Sequence, residues 1–172
     1  MNKRELDRLL IRISDGDDSA FEQLYLGTRK GVFSFLYSYL GSYHDSEDAM
    51  QSVYLKIKLN IHRYTPGTNA SAWILQIAKN QALNDLKQRS RRACVGLDQI
   101  PEEAVPFDDG ALTDLIQRTL EEEERQIVIL HVLWGKKHRE IAELLQIPLG
   151  TVTSKYKRAL QKLKNAMKEV NS

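Results

Sequence analysis

The segment HREIAELLQIPLGTVTSKYKRALQKLK, residues 138–164, decides the fold. Ile141, Leu144 and Leu145 recur at helical spacing before Pro148 and Gly150 interrupt the pattern. Val152, Tyr156, Ala159, Leu160 and Leu163 then recur at i, i+4, i+7, i+8 and i+11, which predicts a second amphipathic helix packed on the first. Two helices joined by a short turn, with Gly150 in the turn, have the spacing of a helix-turn-helix. Turning the apolar stripe inward leaves Thr151, Thr153, Ser154, Lys155, Lys157, Arg158 and Gln161 outside. Short hydroxyls near a helix start can approach base edges in a major groove, and Lys and Arg farther along reach phosphates or guanine. A solvated basic face explains the charge, but not its concentration beside turn chemistry.

Working outward, the 172-residue chain has 42% hydrophobic and 28% charged residues, enough to bury a core. The longest apolar run, residues 127–134, is broken by His131 and is too short to span a bilayer. Charges interrupt the N-terminal segment, so it does not read as a secretory signal. Cys94 is the single cysteine, which fits a reducing, cytoplasmic environment. The net charge of +2 hides a strong division. Residues 1–92 carry 14 Lys/Arg against 10 Asp/Glu, residues 93–124 carry 1 against 10, and residues 125–172 carry 10 against 3. Two basic modules flank an acidic connector.

The periodicity predicts an all-α chain of two small helical domains, residues 1–92 and 113–172, joined by an acidic linker over 93–112. In the first domain, helices are expected over 3–13, 19–40 with Gly27 and Gly31 kinking or splitting it, from Asp45 onward, and over 71–92. The last of these is expected to bury Trp73, Ile74, Ile77, Ala78, Ala82, Leu83 and Leu86, and its C-terminal half is basic. Further helices are expected over 111–120, 122–133, 138–146 and 151–168.

Two blocks carry a resemblance. EEERQIVILHVLWGKKHREIAELLQIPLGTVTSKYKRALQKLK, residues 122–164, resembles the promoter-binding C-terminal domain of bacterial RNA polymerase sigma factors of the extracytoplasmic-function type. Alone, that block also fits the output domain of a response regulator. DSEDAMQSVYLKIKLNIHRYTPGTNASAWILQIAKNQALNDLKQRSRR, residues 45–92, resembles the second conserved region of the same sigma class, in the right order.

The resemblance implies that Asp48, Gln51 and Tyr54 dock on the coiled-coil clamp of the polymerase's largest subunit. It implies that residues 62–71 and the following helix read and open the minus-ten element through Tyr64, Lys79, Asn80, Asn84, Lys87 and Arg91. Asn80 and Asn84 stand i, i+4, and their amides offer both donor and acceptor to an unstacked base. Near the minus-thirty-five element, Thr153, Ser154, Lys155 and Lys157 fall by the bases, with Arg158 and Lys162 on phosphates and Thr151 on the same DNA-facing side. The chain departs from the family in having Lys136, Lys137 and His138 where Leu-Ser-Tyr is common, which removes an N-cap and could add phosphate contacts.

The partners implied are core RNA polymerase, promoter DNA and an anti-sigma factor, without membrane insertion. No nucleophile-base pair, phosphate-cradling loop or metal-ligand spacing is visible, so no catalytic residue, cofactor or metal is assigned. The competing expectation is a stand-alone helix-turn-helix regulator with a dimerising or sensing N-terminal domain, which would bind palindromic duplex without the polymerase.

Overall fold

The computed structural model describes residues 1–94 and 110–170. Among them every regular element is helical: α1 Lys3–Ser14, α2 Asp18–Leu40, α3 Tyr43–Leu59, a 3-10 turn at Ile61–Arg63, α4 Ala70–Ala93, α5 Gly110–Thr119, α6 Glu122–Val132, α7 His138–Leu145 and α8 Leu149–Val170. The chain divides into two compact units, residues 1–102 and 103–172. Most of the predicted linker, residues 95–109, lies outside the described residues, and its last positions belong to α5.

The first unit is assembled by caps and a shared core. Asn2 and Glu5 close a capping box on α1, and Gly16 at φ 89° turns the chain toward α2. Asp17 then caps α2, accepting from the amides of Ser19 and Ala20, and its carboxylate takes Arg12 at 2.6 Å. The Ser19 hydroxyl, which donates to the same carboxylate, and the Arg12 guanidinium hold the Asp17 pKa down at about 2. α2 runs unbroken through Gly27 and Gly31, contrary to the expected kink or split. It packs on α1, α3 and α4, and that burial outweighs the roughly 1 kcal/mol that each glycine costs a helix. Leu10, Leu24, Phe33, Phe35, Leu36, Ile57, Ile74 and Leu75 are fully buried. α3 starts two residues earlier than expected, with Ser42 accepting from the Asp45 amide. On α4 Leu75 is in the core, whereas Leu83, expected there, is exposed.

In the second unit α5, α6 and α7 all pack on α8, around Ile116, Leu120, Ile127, Leu130, Ile141, Val152 and Ala159. The turn between α7 and α8 is closed by Gln146, not by Gly150. Gln146 adopts φ 58° and its amide donates to the Ala142 carbonyl, while Gly150 sits in the first turn of α8 with open space where a Cβ would stand. Leu160, expected on the inner stripe, is 44% exposed.

Candidate nucleic-acid and partner interfaces

α3 presents an outer stripe of Asp48, Gln51, Leu55 and Leu59 at i, i+3, i+7 and i+11. Asp48 and Gln51 are exposed as expected, with the Asp48 carboxylate 3.4 Å from His44. Leu55 and Leu59 are 59% and 64% exposed. They were not singled out in the sequence, although two leucines in register with Asp48 were the available signal. Tyr54 does not belong to this face. Its ring is buried with edge contacts to Phe21 and Tyr25, and its hydroxyl lies 2.7 Å from that of Thr28, which donates to the Leu24 carbonyl. Burial pushes the Tyr54 phenol well above its ordinary range. A side chain so enclosed holds α2 to α3 and cannot dock a partner.

The loop between α3 and α4 borders an open pocket of about 260 Å³, lined by Lys56, Asn60, Arg63, Trp73, Ile77 and Asn80. Trp73, expected in the core, is half-buried and gives the pocket a flat apolar wall. Polar groups from both helices converge on the opening. Lys56 Nζ donates to Gln81 Oε1 at 2.6 Å, and Gln81 donates onward to Asp85, so the ammonium is fixed by a chain of partners. Asn80 Oδ1 accepts from Gln76 at 2.9 Å, which leaves the Asn80 amide protons for another acceptor.

Helical geometry extends this face. Trp73, Ile77, Asn80, Asn84, Lys87 and Arg91 fall at i, i+4, i+7, i+11, i+14 and i+18, one stripe of α4. Asn84, Lys87 and Arg91 are exposed along it. Lys79 stands off this stripe and is half-buried, and desolvation lowers its ammonium from the usual lysine range. The expectation for Tyr64 also changes: it is 8% exposed, packed on Trp73 with ring centroids 5.4 Å apart, so its faces are not free for base stacking.

On α8 the outward face consists of Ser154, Lys157, Arg158, Gln161 and Lys164, all exposed. Lys155 and Lys162, expected at DNA, lie on the flank toward α6. Lys155 Nζ is 2.7 Å from Glu123, and Lys162 Nζ is 2.7 Å from Glu124 and 3.7 Å from Glu121. The acidic tract 121–124 therefore belongs to the helical unit and neutralises two recognition-helix cations. Glu124 is 1% exposed. Burial raises its pKa, but the Lys162 hydrogen bond, the Glu121 amide and nearby cationic charge together outweigh that and hold the carboxyl below its ordinary value. Lys162 is correspondingly raised, chiefly by its hydrogen bond to Glu124.

Thr151 and Thr153 are half-buried, and the Thr153 hydroxyl donates to the Leu149 carbonyl and lies 3.3 Å from His138 Nδ1. His131, His138 and Tyr156 form a ring cluster, with centroids 4.8 to 5.2 Å apart, that locks the three helices of the motif. The missing Ser cap of α7 is offset by Glu140, which accepts from the Lys137 amide at 2.9 Å. Lys136 is 6% exposed and ion-paired with Glu140 at 3.7 Å, so it adds no phosphate contact.

Two helical units, one carrying a helix-turn-helix with a cationic outer face, define the class of helical DNA-reading proteins. The chain belongs to the sigma-70 family of RNA polymerase sigma factors, in its extracytoplasmic-function group: residues 24–92 match sigma-70 region 2 and residues 111–163 match sigma-70 region 4. It is 27% identical to the extracytoplasmic-function RNA polymerase sigma factor SigE of Mycolicibacterium smegmatis, over 91% of this chain and 66% of that protein. It is 20% identical to SigW of Bacillus subtilis over 96% of this chain and 98% of that one. In fold it is similar to the sigma factor RpoE of Bartonella quintana, solved with the anti-sigma factor NepR. That match has a TM-score of 0.69 and 21% identity, covering 86% of this chain and 96% of the other. No helix among the described residues is long and apolar enough to cross a membrane.

Proposed function

We propose that this sigma factor works in the cytoplasm as a non-enzymatic subunit that binds core RNA polymerase and directs it to promoters. The outer stripe of α3 docks on the polymerase through Asp48 and Gln51, and Leu55 and Leu59 add apolar area at the centre of that contact. The loop after α3 and the Asn80, Asn84, Lys87, Arg91 stripe engage the minus-ten element, where the pocket beside Trp73 receives an unstacked base. Ser154 and Lys157 approach base edges at the minus-thirty-five element, with Arg158 and Lys164 along the phosphates. Thr151, Thr153, Lys155 and Lys162 act from behind by fixing α8.

The observation that carries this reading is the convergence of a flat indole, two amides and two cations on one pocket, continuous with a basic stripe. An inhibitory protein that covers these surfaces is a further expected partner; the structural relative RpoE was solved in complex with the anti-sigma factor NepR. Run-off transcription with purified core polymerase tests the proposal. Promoter-specific transcripts that require this chain support it, and failure to bind core polymerase refutes it.

A further inference from the structure

Asp7 is half-buried on α1 beside the apolar stripe of Leu6, Leu9, Leu10 and Ile13. Its Oδ1 accepts two hydrogen bonds from a single loop nearly sixty residues away: from the Tyr64 hydroxyl at 2.5 Å and from the Gly67 amide at 2.9 Å. Gly67 has φ 79°, so the loop reverses at a backbone conformation that L side chains rarely adopt. One carboxylate oxygen thus pins both ends of the Tyr64–Gly67 turn. The Tyr64 ring packs on Trp73, and Trp73 walls the pocket.

This bond set is more than α1 needs for attachment, because four buried aliphatic side chains already seat that helix. The two donors also hold the Asp7 carboxyl below its usual range, the Tyr64 hydroxyl first and the Gly67 amide second, while burial and the Asp7 bond push the Tyr64 phenol up to about 12. Carboxylate and phenol keep their acceptor and donor roles through the neutral range. Residue 7 lies outside the matched region 24–92.

We infer that Asp7 is a positioning residue for promoter opening: from α1 it sets the Tyr64–Gly67 turn, and through Tyr64 and Trp73 the shape of the base-receiving pocket. The inference rests on the reading of that pocket as the strand-opening site. Asp7 contacts no DNA in this role; it acts through the loop.

The test uses reconstituted holoenzyme carrying Asp7→Ala or Tyr64→Phe, the double variant, and Arg63→Ala and Asn80→Ala as pocket variants. Open-complex formation is followed by permanganate reactivity on a duplex promoter, and by the yield of heparin-resistant complex on that promoter and on one with a pre-opened minus-ten bubble, alongside core affinity and thermal midpoint. Loss of the two hydrogen bonds should reduce duplex opening about ten-fold. Core affinity should hold and the bubble template should recover most of the loss, with the double variant little worse than Asp7→Ala because both changes break one link. Tyr64→Phe keeps the ring and separates the bond from any folding defect of Asp7→Ala. The inference is overturned if both single variants open duplex normally, if the defect persists on the bubble, or if it merely tracks lost core binding. Failure of the pocket variants alongside normal Asp7→Ala would sink the inference alone. Normal opening by the pocket variants would remove the pocket reading and the inference with it.

Discussion

Replacing Glu123 with glutamine should strengthen promoter binding and make it more sensitive to salt. Glu123 Oε2 lies 2.7 Å from Lys155 Nζ, whose side chain is only 21% exposed, so that cation is neutralised within the protein before DNA arrives. The α8 face then brings the cations Lys157, Arg158 and Lys164 to the duplex, while Lys155 and Lys162 remain paired. Each cation that displaces a counterion adds about 0.9 to the slope of log affinity against log salt. Three contacts make α8 binding fall about forty-fold between roughly 50 and 200 mM salt, whereas five would make it fall about five-hundred-fold. Glu123→Gln frees one cation, steepening the slope by about 0.9, a further three- to four-fold over that range. Lys157→Ala should flatten it by the same amount, and Lys155→Ala by less than half as much. Fluorescence anisotropy of holoenzyme on a labelled minus-thirty-five duplex, titrated with potassium chloride, measures all three slopes. Equal losses for Lys155→Ala and Lys157→Ala, with no change for Glu123→Gln, would refute the division of α8 into paired and DNA-facing cations.

Tyr54→Ala should lower the stability of the first unit by about 3–5 kcal/mol, and Tyr54→Phe by about 1 kcal/mol, in denaturant melts; core affinity of the folded Phe variant should be unchanged. Leu55→Asp or Leu59→Asp should leave the melting curve within error and weaken core-polymerase binding at least ten-fold in a pull-down titration, since the change buries a charge in a contact. The folded-state pKa of Asp17 is depressed to about 2 from 3.8, so its contribution is present above about pH 4 and is lost as pH falls toward 2. Acid unfolding followed by circular dichroism should therefore move to higher pH in Asp17→Asn, and an unmoved midpoint would show that the cap contributes nothing.

Helix count, order and the helix-turn-helix were legible because apolar periodicity is a local property that each helix states within its own span. The misplacements have a common cause in distant partners. Tyr54 finds Thr28 across 26 positions and Tyr64 finds Asp7 across 57, so an aromatic that reads as a partner-facing or stacking group becomes an internal strut. Lys162 meets Glu124 across 38 positions, which turns an expected phosphate contact into a part-buried ion pair. Periodicity alone puts Leu83 on the inner stripe of α4 and leaves Leu75 off it, whereas Leu75 is buried and Leu83 exposed; α2 and α3 both lie against α4, and only their placement selects the inner side. Asn80, Asn84, Lys87 and Arg91 share a stripe because their spacing is purely helical, while the pocket needed the fold to bring Lys56, Asn60 and Arg63 beside Trp73.

α1 has a bearing on how such a module can be cut and grafted. It precedes residue 24, where the family match starts, yet it contributes Leu6, Leu9, Leu10 and Ile13 to the interior and closes its own first turn with Asn2 and Glu5. A fragment trimmed to the matched segment would expose the hydrophobic seat those four side chains fill. A chimera that exchanges promoter preference between relatives should therefore take its N-terminal junction at Asn2, so that the transplanted piece arrives with the helix on which its interior closes.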